Sequence, residues 1–253
     1  MVQNGLYVAT SRLLMQQQRL DVIANNLANV NTSGFKRDIA LFSDYKTVGK
    51  RAPQAWVKST TYNQAINSAV KLDNIVSDFQ QGHFVNTDNK YDLALQNTKN
   101  FFTLETPWGL RYTRNGEFTL NGNGEIVSQD GYPLLDAETM APIVIPQDAL
   151  QVSIQANGAI NVDGFDIGTV LVSQFAQPEK LQKVGYNLYE AVGILPQIPV
   201  NLTISQGYVE ASNVEPIREM VAMIEAQRSF DMYQRAVSTY DDMNERTNSI
   251  VGR

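Results

Sequence analysis

Leu6, Ala9, Leu13, Gln16, Leu20, Ile23, Leu27 and Val30 follow one another at alternating spacings of three and four. That spacing lays a stripe along one side of a helix, apolar except at Gln16. Pattern and length predict a helix from about residue 4 to 31, with Gly34 as its stop. The other end of the chain repeats the arrangement. After Asn213 and Pro216, a cap and an early helix position, Met223, Ala226, Phe230, Tyr233, Val237 and Tyr240 alternate in the same way, and the stripe runs on through Asn244 and Thr247 to Val251. Two such helices at opposite ends predict an α+β fold in which long N- and C-terminal helices pair as a coiled coil.

Between them the texture changes. Asn115-Gly116, Asn121-Gly122, Asn123-Gly124, Asp130-Gly131, Asn157-Gly158 and Asp163-Gly164 are turn dipeptides suited to hairpins. Strand-like runs separate them: Phe101–Glu105, Glu117–Leu120, Ile143–Ile145, Val152–Ile154 and Thr169–Phe175. Short strands at close turn spacing predict an inserted, mostly antiparallel β domain over 71–206. Residues 1–36 and 207–253 form the terminal helical domain in this reading. Residues 37–70, without a clear period, form an extended connector.

The 253 residues carry a net charge of −6, which gives no electrostatic footprint for nucleic acid. There is no cysteine, so disulfides, thiolate metal sites and cysteine nucleophiles are excluded. The first twenty residues lack a basic start, an apolar run and a small-residue cleavage site, so no cleavable signal is expected. No apolar run approaches the roughly 20 residues of a membrane span, and a soluble chain is predicted.

Catalytic constellations are sparse. His83 is the only histidine, which rules out a multi-histidine metal site and leaves a turn residue. LNGNGEI lacks the alternating acidic residues of a calcium loop. Asp241 and Asp242, adjacent on a helix, point to different sides and read as a solvated face. Neither a phosphate-cradling nor a dinucleotide glycine motif occurs. No enzyme, cofactor or metal is expected.

Apolar residues also stand off the stripes: Leu14, Met15 and Val22 at one end, Ile217, Val221, Ile224 and Met232 at the other. They require further neighbours, either the β domain or other copies. One seam of burial falls short of the entropy lost in ordering so long a helix, so the helices are expected to order fully only within a multi-subunit assembly. ANNLANVNTSGFKR places Asn25, Asn26 and Asn29 mostly away from the Ile23, Leu27, Val30 seam. Amides there suit packing against neighbouring subunits without burying charge. A fraying helix end running into a loop accounts for them equally well.

The same stretch resembles the N-terminal motif of the bacterial flagellar rod and hook proteins. NFFTLETPWGLRYTRNGEFTLNGNGEIVSQDGYPLL is similar to their central β motif, and EASNVEPIREMVAMIEAQRSFDMYQRAV to their C-terminal one. The order and joint presence of the three, across nearly the whole chain, make the resemblance specific. Length and DGFDIGTVLVSQFAQPEKLQKVGYNLYEA are most similar to the proximal-rod members; distal-rod members are the near alternative, and hook members are usually longer. Departures are NKYDLALQNTKNFF, in place of a more glycine-rich stretch, and Trp108 at a usually acidic or small position.

The resemblance implies a non-enzymatic axial subunit, exported unfolded through the flagellar type III apparatus without signal cleavage. It would assemble with itself and other rod subunits into the periplasmic drive shaft, with paired terminal helices forming the inner tube and the β domain outside. On that footing Leu6, Leu13, Leu20, Ile23, Asn25, Asn26, Leu27, Asn29 and Val30 are expected at subunit interfaces. So are Met223, Phe230, Tyr233, Val237 and Tyr240. Two other classes stand beside this one. A cell-wall-acting enzyme needs a carboxylate pair facing a β cleft, which the sequence does not offer, and a secreted adhesin would bind through the β domain.

Overall fold

A computed structural model of the protein describes residues 2–44, 70–185 and 187–251. Most of the expected connector over 37–70 lies outside the described residues. Two α-helices, α1 (Val2–Ala28) and α2 (Pro216–Val251), flank the strands. In chain order these begin with β1 (Asp38–Asp44), β2 (Val70–Ser77), β3 (Phe84–Asn86), β4 (Leu93–Leu95), β5 (Asn100–Thr106) and β6 (Gly109–Thr113). There follow β7 (Phe118–Leu120), β8 (Ile126–Ser128), β9 (Val152–Ile154), β10 (Ala159–Val162) and β11 (Phe165–Thr169). The last are β12 (Val172–Gln174), β13 (Gln182–Lys183), β14 (Leu188–Glu190), β15 (Ile204–Gln206) and β16 (Tyr208–Glu210).

The chain falls into two compact units. The helical unit draws on Met1–Ala28, Asp38–Val76 and Glu215–Arg253; the β unit draws on Asn29–Arg37 and Ser77–Val214. The β unit therefore takes nine residues, 29–37, from the N-terminal motif.

Its largest sheet has the order β12-β5-β6-β14-β13, with antiparallel neighbours. β5 is buried on both faces, which explains its unbroken apolar start. Phe102 and Leu104 enter an aliphatic core with Leu95, Phe118, Ile126 and Leu134. Phe101, on the other face, joins Phe79, Tyr112, Phe175 and Tyr189. Tyr112 and Phe175 meet edge-on at 4.8 Å, the arrangement that ring quadrupoles favour.

The turn chemistry acts where expected. Asp163 and Gly164, at φ 52° and 92°, close a two-residue turn between the paired ends Val162 and Phe165 of β10 and β11. Ile143–Ile145 is not a strand. Within it only Val144 pairs, in an isolated bridge with Glu125.

The helical ends require a correction: the expected coiled-coil pair is not formed. A two-stranded coiled coil buries both alternating heptad positions along its seam. α1 and α2 touch within their unit, yet Ala9, Gln16 and Ile23 are the buried members of the α1 stripe, and Ala226 is the buried member of the α2 stripe among the described residues. Leu6, Leu13, Leu20 and Leu27 stay half-buried, as do Met223, Phe230, Tyr233, Val237 and Tyr240. Val30 lies in a turn beyond the helix end.

The physical reason lies in which side chains are covered. Small or polar residues (Ala9, Gln16, Ala226, Glu219) and the off-stripe Val22 and Asn26 are buried, rather than leucine knobs, and α1 also packs against β1. Among the described residues the architecture is two helices and many short antiparallel strands.

Candidate assembly site

On α2, Glu219 and Ala226 are buried, and at 3.6 residues per turn they share one side. The opposite side carries Ile217, Val221, Ile224 and Met232, all more than half exposed and Ile217 77% exposed. Leu14 of α1 is likewise exposed. The off-stripe apolar residues are thus on view rather than in a core, except Val22, which is buried, and Met15, which is half-buried.

The asparagines separate by role. Asn25 is exposed. Asn26 is buried and its amide is bonded to the backbone of Asp38, where β1 begins. Asn29, half-buried in the turn after α1, accepts from the Thr32 hydroxyl at 3.2 Å and caps a turn with Thr32 N–H.

The chain then enters the β unit, and Ser33, Gly34, Phe35 and Lys36 are all buried. Gly34 has φ 68°, and a Cβ there would lie 2.3 Å from the Asn115 nitrogen, so only glycine allows this approach. The Ser33 hydroxyl donates to Glu117, and the Lys183 ammonium sits 3.9 Å above the Phe35 ring.

Lys36 leads to the densest polar site. Its ammonium donates to Glu210 Oε1 and to the Gln80 carbonyl, both at 2.7 Å. Glu210 Oε1 also accepts from Gly82 N–H at 3.0 Å. Glu210 Oε2 accepts from Arg114 Nε at 2.9 Å and from Arg114 Nη2. The Arg114 guanidinium donates further to the carbonyls of Leu95, Asn97 and Asn100. The side chains of Lys36 and Arg114 are 0% exposed and that of Glu210 is 1% exposed. Burial pushes the Lys36 ammonium below its ordinary pKa; Glu210 opposes the shift and Arg114 adds to it.

Asn213, expected as a helix cap, instead joins segments of the β unit. Its amide oxygen accepts from Arg37 N–H at 2.8 Å, and its nitrogen donates to the carbonyls of Asp78 and Gln80.

Sequence reasoning missed Lys36, Arg114 and Glu210. One signal was available: each charge follows an aromatic residue by one or two positions, in GFK, RYTR and GYVE. Among the described residues no cluster of histidine or acidic side chains could hold a metal ion, and no helix is long and apolar enough to cross a membrane.

The three residues of this network lie in three separate family matches. Residues 6–36 match the family described as "Flagella basal body rod protein". Residues 97–162 match "Flagellar hook protein FlgE/F/G D1 domain", and 205–250 match "Flagellar basal body rod FlgEFG protein C-terminal". Whole-length relatives agree. The flagellar basal-body rod protein FlgG of Caulobacter vibrioides is 33% identical, across 97% of this chain and 98% of its own length. The chain belongs to the flagellar basal-body rod protein family.

FlgF of Caulobacter vibrioides is 32% identical across 99% of this chain and 97% of its own, and FlgG of Buchnera aphidicola subsp. Schizaphis graminum is 30% identical across 97% and 99%. Rod proteins form a structural family, not an enzymatic one, and this chain is a structural subunit of the basal-body rod, serving motility. Its three family segments are joined in one buried ionic network. Lys36 comes from the first, Arg114 from the second and Glu210 from the third.

Proposed function

We propose that this rod subunit belongs to the proximal rod and passes motor torque along the shaft through contacts with neighbouring rod subunits. The observation that carries the reading is the face of α2 bearing Ile217, Val221, Ile224 and Met232. An isolated subunit gains nothing from an apolar face turned to water, whereas packed neighbours bury it. Leu6, Leu13 and Leu20 of α1 and Met223, Phe230, Tyr233, Val237 and Tyr240 of α2 keep surface for the same partners. Asn25 and Asn29 suit hydrogen bonding at such a contact. Passage through the flagellar type III apparatus without removal of a leader, and residence in the periplasmic part of the basal body, belong to the same reading.

A distal-rod assignment is the second reading, supported by relatives named FlgG at comparable identity and coverage. Ile224→Asp tests the contact face. The β unit should keep its melting temperature while motility and the yield of intact basal bodies fall; normal yield and motility would refute the role of this face. Electron microscopy of basal bodies carrying a tagged subunit separates the two readings, with label at the inner end expected and label at the outer end assigning the distal rod.

A further inference from the structure

Glu210 receives hydrogen bonds from three separated stretches of the β unit. Lys36 and Gly82 donate to Oε1, Arg114 donates twice to Oε2, and Gly34 N–H donates to the Glu210 backbone carbonyl at 2.7 Å. Its neighbour Ala211 donates to the His83 carbonyl, and Ala211 O lies so close to Gly82 that a Cβ there would approach it to 2.0 Å. Residues 208–211 therefore fill a slot whose walls come from 34–36, 82–83 and 114. Arg114 reaches from that slot into the start of β5, donating to the Asn97 and Asn100 carbonyls at 2.6 Å.

We propose that Glu210 is the closing residue of the β unit: the core around β5 and β6 does not consolidate until residues 208–211 occupy their slot. The reason is electrostatic. Without Glu210, Lys36 and Arg114 would be two like charges out of contact with water, and Glu210 is the carboxylate in direct contact with both. Arg114 also shapes the backbone between β4 and β5, so its failure to bury leaves β5 without its entry. Because Glu210 follows every strand of the central sheet in the chain, folding of the β unit waits for nearly the whole sequence to be delivered. Premature closure around an incomplete chain is thereby prevented.

Pulse-labelling hydrogen exchange during refolding of the full-length chain tests this. Backbone amides of Phe102, Leu104 and Tyr112 should gain protection together with Gly34 and Gly82, the donors to Glu210, at rates within about a factor of two. Glu210→Gln should slow both groups by roughly tenfold or more, because the cations would face an uncharged partner. The wild-type result decides the matter even if the variant fails to fold. Protection of Phe102, Leu104 and Tyr112 about tenfold ahead of Gly34 and Gly82 would overturn the proposal. So would a variant in which only Gly34 and Gly82 are delayed.

Discussion

Asn26 and Asp38 are joined by two hydrogen bonds, the amide nitrogen donating to the Asp38 carbonyl at 2.9 Å and the amide oxygen accepting from the Asp38 N–H at 2.8 Å. A side-chain amide is the group that satisfies a backbone donor and acceptor at once without charge.

Asn26→Ala should therefore destabilise the helical unit by about 2 kcal/mol. Losing both bonds to the partly buried Asp38 backbone outweighs the gain in helix propensity of roughly 0.5 kcal/mol. Asn25→Ala, at an exposed position, should cost less than Asn26→Ala. Urea unfolding of the two variants, followed by helical circular dichroism, makes the comparison.

Lys36→Met should be tolerated far better than Glu210→Gln. The first leaves Arg114 and Glu210 paired and should cost within about 1 kcal/mol at neutral pH; the second strands buried cations and should cost about 3–5 kcal/mol. The pH response is distinctive, because burial holds the Lys36 pKa below its ordinary value, with Glu210 and Asp78 opposing and Arg114 reinforcing. Between the folded value and 10.5 the unfolded chain binds this proton more tightly, so the lysine's contribution to stability rises with pH across that window. Wild type should gain on Lys36→Met as pH climbs from neutral toward 10.5.

Asp136 should show the same sign of pH response, on the acid side. Burial raises its pKa, but the N–H groups of Thr169, Thr139 and Glu138 and the Thr139 hydroxyl all donate to it and hold it below 3.8. A depressed carboxyl contributes stability above its unfolded pKa and loses it as pH falls through the folded one. Asp136→Asn should cost about 1–3 kcal/mol at neutral pH. The gap to wild type should narrow below pH 3.8. Thermal melts across the acid range check both statements.

Gly34→Ala should cost about 3 kcal/mol or more, since the Cβ would meet backbone atoms of Arg114 and Asn115 that have no room to yield. Gly122→Ala is the matched control, because nothing lies within 4 Å of a Cβ there, and its melting temperature should match wild type.

The contrast between these sites shows what was legible in the sequence. Turns such as Asp163-Gly164 could be read because their chemistry is local, and both helices because a period of three and four is local too. The partners of those helices could not. A heptad stripe specifies an apolar side, but Ala9, Gln16, Ile23 and Ala226 rather than leucines became the buried positions, and most of each stripe stayed half-buried. NTSGFKR read as a loop and helix stop, yet it is the segment that seats the N-terminal motif in the β unit. Lys36 and Glu210 stand 174 residues apart, and no spacing rule links residues at that separation. Asn213 looked like a cap because caps and interior ties call on the same side-chain amide.

The chain passes into or out of the β unit at residues 29, 37, 77 and 214, and the unit's first and last stretches are tied to each other. Gly34 N–H is bound to the Glu210 carbonyl at 2.7 Å, and Arg37 N–H to the Asn213 side chain at 2.8 Å. A pull between residues 29 and 214 would meet these ties and the Lys36–Glu210 contact before it reached the central sheet.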